Sequence, residues 1–329
     1  MPLLTMRHDF RAPAFGAAST RDIYAAALEQ MKWADARGFD FLVLSEHHGV
    51  DDGWMPAPLT MAASILAATE RAPVLLSASI LPLHDPIRIA EQIAVIDNAF
   101  PGRLWTVFGA GYRVEEFEMA GVEHAQRGKI LEAQLAAMLQ AWTGEPFEWQ
   151  GRAVRVTPVP ATLPHPTVLV GGGVPAAARR AARLRLPMMP MNADPAVTAA
   201  YREEAARVGF DGGFVLVPEG PTFVHVTADP ARAWDELAPY LLYETRTYAS
   251  FQTAGQHSLP RVDAETVDDL RRAAQLWVGT PDDILARARD LGPTAALNFH
   301  PLAGGLPPEL AWASLELFAS EVLPALRAS

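Results

Sequence analysis

A chain of 329 residues has room for one large α/β barrel or two smaller domains. With half its residues hydrophobic and a fifth charged, it has a core to bury and no signature of disorder. The formal charge of -11, with Lys and Arg scattered singly, excludes the basic surface that nucleic acid or an anionic membrane would require.

Cysteine is absent, which excludes disulfides, thiolate metal sites and cysteine nucleophiles, so redox chemistry needs a bound cofactor. The apolar run before Arg7, His8 and Asp9 is too short for a signal-peptide core. The longest uncharged segment, 156–178, contains Pro158, Pro160, Pro164, Pro166 and Pro175, which would break a membrane-spanning helix. These features predict a soluble, cytoplasmic protein.

Strand-like and helix-like segments alternate along the chain, the pattern of repeated βα units around a parallel sheet. Strands are predicted near 3–10, 39–45, 74–81, 104–108, 167–170, 187–191, 214–226 and 295–299, the complement of a (β/α)8 TIM barrel. The first helix carries Ile23, Ala26, Ala27, Met31 and Ala34 on one face, and the third carries Ile87, Ala90, Ile93, Ala94 and Asp97. Pro86 suits the first turn of that third helix, with Asp85 before it as cap. Insertions are expected after strands four and seven. The first is a helix over 127–142 followed by a β-like stretch over 147–156, and the second runs from about Tyr240 to Val278, before a helix start at Gly279-Thr280-Pro281. No internal repeat or linker divides residues 1–329, which read as a single domain.

The most informative run is Gly38 to Gly49, a buried strand ending in Glu46-His47-His48. Polar clusters at the carboxyl ends of parallel strands are where such sheets place their chemistry. Adjacent strand residues point to opposite sides, so one histidine should face the barrel mouth while the other is structural. Further polar or glycine-rich tips follow: His8-Asp9, His84-Asp85, Gly109 to Arg113, Gly171-Gly172-Gly173 and Asn298 to His300. The triple glycine before a helix start lets backbone amides approach an anion, although a tight strand-to-helix turn would also select glycine. Barrel metallohydrolases generally aim two histidines to one side with His-x-His. Here His8-Asp9 and His47-His48 are adjacent pairs that diverge, so a metal-dependent hydrolase is the weaker reading and no metal ligands are assigned. No Gly-x-Ser-x-Gly elbow is present.

With these residues in place the chain resembles, over nearly its whole length, the bacterial-luciferase-like family of flavin-dependent monooxygenases. Three stretches carry the likeness: Leu44 to Gly49; Leu81-Pro82-Leu83-His84-Asp85-Pro86-Ile87-Arg88 with Ile96 to Arg103; and Phe108 to Phe117. The resemblance implies an α/β barrel with insertions. It implies that His47 acts as base or proton donor near the flavin; Glu46, next to it in sequence, is expected to fix its tautomer if buried beside it. It also implies that Ala78-Ser79 is a non-proline cis peptide under the ring, and that Gly172 and Gly173 contact phosphate, with the Gly109–Gly111 turn nearby. Luciferases carry an arginine in that turn, where this chain has Ala110, and Arg113 is not equivalent in position.

The reading is therefore an enzyme that uses reduced FMN and O2 to oxygenate a small organic substrate. A separate flavin reductase and a homodimeric state are expected, and Trp54, Tyr112, Tyr243, Tyr248 and Phe251 are candidates for the pocket wall. The principal alternative on the same barrel is an oxidoreductase using coenzyme F420.

Overall fold

A computed structural model describes residues 1–252 and 261–328. Its strands are β1 (Leu3–His8), β2 (Phe41–Leu44), β3 (Val74–Ile80), β4 (Leu104–Gly109), β5 (Phe147–Trp149), β6 (Arg152–Val154), β7 (Thr167–Gly172), β8 (Met188–Pro190), β9 (Phe223–Val226), β10 (Leu276–Gly279) and β11 (Ala296–Phe299). Seven of them form one sheet in the order β11-β1-β2-β3-β4-β7-β8, and every pairing in it is parallel. The helices that position the site are α1 (Thr20–Ala36), α2 (Pro58–Ala68), α3 (Pro86–Ala99), α4 (Val114–Ala120), α5 (Arg127–Ala141), α6 (Pro175–Arg183), α7 (Pro195–Arg207) and α8 (Pro230–Phe251).

Local chemistry explains these boundaries. Ser19 and Asp22 form a reciprocal capping box at the start of α1, and the face of Ile23, Ala26, Ala27, Met31 and Ala34 is buried. Asp85 accepts from the amides of Ile87 and Arg88 to start α3, with Pro86 at its first position. Asp97, inside α3, turns inward and accepts from Gly102 and Thr162, so this carboxylate ties the helix to two loops.

The α/β barrel holds, but its eighth position is irregular. The segment read as one strand over 214–226 divides. Its first part spans the gap between β8 and β11: Phe214 accepts from Met188, Leu216 donates to Met188, and Glu219 accepts from Ala296. Pro218 and Pro221 supply no ladder donors here. Gly220, at φ +103°, lies so close to β11 that a β-carbon would stand 2.3 Å from the Ala296 carbonyl oxygen. Its second part is β9, which pairs with β10 in a separate two-stranded sheet. β10 falls within the stretch expected as the second insertion, so that insertion contains a strand as well as most of α8. Its residues 253–260 lie outside those described. The first insertion is α5 followed by the β5–β6 hairpin.

Among the described residues no helix is long and apolar enough to cross a membrane.

Alternation along β1 sends Leu4, Met6 and His8 outward into the helix layer, where all three are fully buried. Neither ring nitrogen of His8 has a hydrogen-bond partner. Burial, reinforced by the nearby His300 and opposed by Asp9, holds its pKa down to about 3. A histidine that stays neutral when folded adds stability above its unfolded pKa of 6.5, and this is lost as pH falls from 6.5 toward 3. Each such histidine should cost about 2 kcal/mol between pH 7 and pH 5. Denaturant unfolding at the two pH values should therefore show a smaller acid loss in His8→Phe than in the parent; equal losses would contradict this account.

Candidate functional site

The carboxyl ends of the strands open into a cavity of about 620 Å³, within the size range of small-molecule sites. Leu3, Thr5 and Arg7 on β1 and Phe41, Val43 and Ser45 on or just after β2 line it, so polarity rises toward the mouth. Below, Leu75, Val107 and Leu169 pack into an apolar floor. Small residues keep one wall flat: a β-carbon on Gly109 would meet Ala78 Cβ at 3.3 Å, and one on Gly171 would meet Val107 Cγ1 at 3.1 Å.

At one end sits His47. β2 ends at Leu44, so residues 45–48 are already loop and strict strand alternation no longer governs them. His47 is nearly buried, with its Nδ1 2.8 Å from Glu116 Oε1 and its Nε2 3.3 Å from the Tyr112 hydroxyl. The carboxylate accepts a hydrogen bond from Nδ1–H, which leaves Nε2 as the acceptor facing the Tyr112 hydroxyl. Burial, with Glu116 nearby, raises the Tyr112 pKa well above that of a free phenol, so it stays protonated. Trp54 stacks edge-on at 4.5 Å and Phe251 lies 5.4 Å away.

Glu46 is engaged elsewhere, contrary to the expectation that it orients His47. One of its oxygens accepts from His48 at 2.9 Å and His84 at 2.6 Å; the other accepts from the Ser79 hydroxyl and the Ile80 amide. Burial opposes its charge, but the histidine and Ser79 hydrogen bonds outweigh that and bring its pKa down to about 2. Glu46, His48 and His84 are close enough to hold a metal ion, yet hydrogen bonding alone accounts for their positions.

The remaining predicted residues are placed as follows. Ala78, Gly109, Gly111, Gly172 and Gly173 line the cavity, as do Glu46 and His47. Ser79 does not: its side chain is buried and committed to Glu46. The cis peptide is Ser77–Ala78, one bond earlier than expected. Arg113 is also outside the cavity, donating to the His48 carbonyl and lying 4.4 Å over the Phe251 ring. Of the wall candidates, Tyr112 and Tyr248 line the cavity, whereas Tyr243 donates to Asp52.

The opposite end of the cavity is cationic. Gly173 and the start of α6, which has no side-chain N-cap, meet the start of α5, whose first amide is already bonded to the His124 carbonyl, so the amides open to an anion are those at Gly173 and the α6 start. Arg127 and Arg180 line the same cavity. Arg180 reaches across α5, where a β-carbon on Gly128 would come within 2.6 Å of its Nη2. Its Nε has no hydrogen-bond partner, because Glu132 stands off at 3.5 Å and instead binds Arg183 through both oxygens. Burial lowers the Arg180 pKa and Glu132 only partly offsets it. An under-neutralised guanidinium beside the uncapped start of α6 is a fitting cradle for a phosphate.

Sequence reasoning missed Arg127 and Arg180 because they sit in helices far from any strand tip. It also gave no role to Glu116, although that residue lies within the quoted Phe108–Phe117 stretch. Arg7 was passed over as a strand residue; its inward register was the available signal.

Comparison with known proteins agrees with this architecture. An uncharacterized protein of Sinorhizobium fredii is 28% identical over 152 residues, 45% of this chain and 43% of that protein's length. An uncharacterized protein of Mycobacterium tuberculosis is 28% identical over 176 residues, 46% of this chain and 62% of its own length. The matched region is thus less than two thirds of either relative. Among solved structures, monooxygenase RslO1 of Streptomyces bottropensis superposes with a TM-score of 0.78 at 22% identity, covering 98% of this chain and 99% of that one. The FMN-bound oxygenating constituent of 3,6-diketocamphane monooxygenase from Pseudomonas putida gives 0.72 at 19%, covering 98% of each. An F420-dependent secondary alcohol dehydrogenase holding an F420–acetone adduct gives 0.70 at 16%, covering 99% of this chain and 100% of that one. The model of the luciferase-like monooxygenases matches residues 8–295, and the chain belongs to this family of oxidoreductases.

Proposed function

We propose that the protein is a monooxygenase that uses reduced FMN and O2 to oxygenate a small organic substrate. The observation that carries this reading is one cavity with two chemically different ends: the Gly173 turn and α6 start with Arg127 and Arg180, and the hydrogen-bonded chain Tyr112–His47–Glu116. Gly172, Gly173, Arg127 and Arg180 would hold the phosphate, with Ala78 and Gly109 flanking the ring. Bound there, reduced FMN supplies the electrons that activate oxygen. His47 accepts or delivers a proton at Nε2 through Tyr112, Glu116 fixes its tautomer, and the apolar floor excludes water. In this reading residues 1–329 act as one domain, a homodimer in the cytoplasm, with a separate reductase supplying the flavin. The F420-dependent alternative draws on the dehydrogenase that shares the fold. Stronger binding of F420 than of FMN to the purified protein would favour it and displace the FMN reading.

Two outcomes follow. Arg180→Met should weaken FMN at least tenfold, as expected when a charge-assisted hydrogen bond of about 1.5–3 kcal/mol is lost, and should barely change riboflavin affinity. Equal losses for both ligands, measured by flavin fluorescence quenching, would remove the phosphate from this end. His47→Ala should lower turnover about 10²- to 10⁴-fold with flavin affinity nearly intact, and Glu116→Gln should lower turnover in the same direction. His48→Ala should act on the melting temperature, since His48 belongs to the Glu46 cluster. Normal turnover in His47→Ala would end the acid–base assignment.

A further inference from the structure

Arg7 is a charged side chain on the wall of an otherwise mostly apolar cavity, about nine-tenths buried, with its exposed part lining that cavity. Its Nε and Nη2 donate to Asp9 at 3.1 and 2.8 Å, and Nη2 also donates to the Tyr248 hydroxyl. Nη1 has no acceptor among the described residues and is not enclosed. Tyr248 is nearly buried on α8 and lines the same cavity. Its oxygen accepts from Arg7, and no described group takes its own proton. Burial raises its pKa well above the usual value even against the pull of Arg7, so that proton is present. Two adjacent donors therefore share one cavity wall, and the described residues provide no acceptor for either.

We propose that Arg7 Nη1 and the Tyr248 hydroxyl together bind the carbonyl oxygen of the substrate, and that the substrate class is a neutral carbonyl compound. Only an acceptor satisfies both donors, which excludes ammonium groups and favours an oxygen, whose two lone pairs can meet both donors, over a neutral amine nitrogen with one. A carboxylate is the less suitable acceptor, because Asp9 already neutralises Arg7 at 2.8 Å and leaves the pair without net positive charge. Arg11 adds none: its guanidinium is matched by Asp52 and Glu244. A carbonyl gains from the local dipole without needing a counter-charge, and the rest of it can lie against the apolar floor formed by Leu75, Val107 and Leu169. Tyr112 lies near this pair, but its hydroxyl is hydrogen-bonded to His47 Nε2.

This inference rests on the flavin-site reading, and the flavin's own ring carbonyls are the competing source of such an oxygen. The test titrates the FMN-loaded protein with cyclohexanone and, separately, with cyclohexanecarboxylate, following the flavin difference spectrum, while FMN affinity is measured independently. Tyr248→Phe keeps the ring packing and removes one donor. Arg7→Lys keeps a charge beside Asp9 and removes the Nη1 geometry. Each variant should bind cyclohexanone about 3- to 30-fold more weakly, with FMN affinity changed less than twofold. A matching loss of FMN affinity would assign the donors to the flavin ring and overturn the proposal. Tighter binding of the carboxylate, absence of cyclohexanone binding to the parent, or unchanged cyclohexanone affinity in both variants would also overturn it. If the parent binds no FMN, the flavin-site reading itself fails, a result distinct from all of these.

Discussion

The cavity depends on a buried ionic network at the tip of β1. Arg11 is fully buried, donating to Asp52 at 2.6 Å, to Glu244 and to Thr247, with its guanidinium 4.4 Å over the Trp54 ring. Arg7 and Asp9 form a second buried pair one strand position inward, and Ser45 and Trp54 continue it through hydrogen bonds of 2.6 and 2.8 Å. Charges removed from water are costly unless matched and hydrogen-bonded, and deleting one partner of such a pair typically costs about 3–5 kcal/mol. Such a network adds little net stability over an apolar core but defines position strictly. It fixes α8, which carries Glu244, Thr247 and Tyr248, against β1. That contact sets one wall of the cavity and the environment of His47 at once.

Polarity inside the barrel follows from the same register. Inward positions of β1 run Leu3, Thr5, Arg7 from floor to mouth, and those of β2 run Phe41, Val43, Ser45. Thr5 donates to Asn298 on β11, and Asn298 donates to the Thr222 carbonyl, so the middle of the barrel is satisfied by short internal hydrogen bonds. Arg7 Nη1, the unpaired donor on this wall among the described residues, lies nearer the mouth. The floor can therefore be dry while the upper wall meets polar ligand atoms, which separates water exclusion from recognition.

The barrel was legible because its strands are apolar runs punctuated by glycine and proline, and because amphipathic helices separate them. β10 was not, since Leu276–Gly279 follows a polar stretch and reads as the end of an insertion. The cavity lining was legible at the strand tips, as with His47, Gly109 and Gly172. It was hidden where helices deliver it: Arg127 and Arg180 gain meaning only when α5 and α6 converge on Gly128. Adjacency in sequence also misled. Glu46 precedes His47 directly, but the loop after Leu44 turns the two side chains apart and brings Glu116, 69 residues downstream, to the ring instead.

That exchange of partners separates the roles of two carboxylates. Glu46 accepts from two imidazoles, a hydroxyl and a backbone amide, so both its oxygens are saturated and it stays ionised down to about pH 2. Such a group anchors the β3 tip beside the cis peptide and has no capacity to spare. Glu116 is different. Its Oε1 is shared between His47 Nδ1 and the His48 amide at 2.8 and 3.0 Å, while its Oε2 is buried without a partner. Glu116 therefore holds the ring from its Nδ1 side, and His47 Nε2 faces the Tyr112 hydroxyl, which lines the cavity. Both oxygens of Glu46 are spent on holding neighbouring elements together, whereas Glu116 keeps one in reserve.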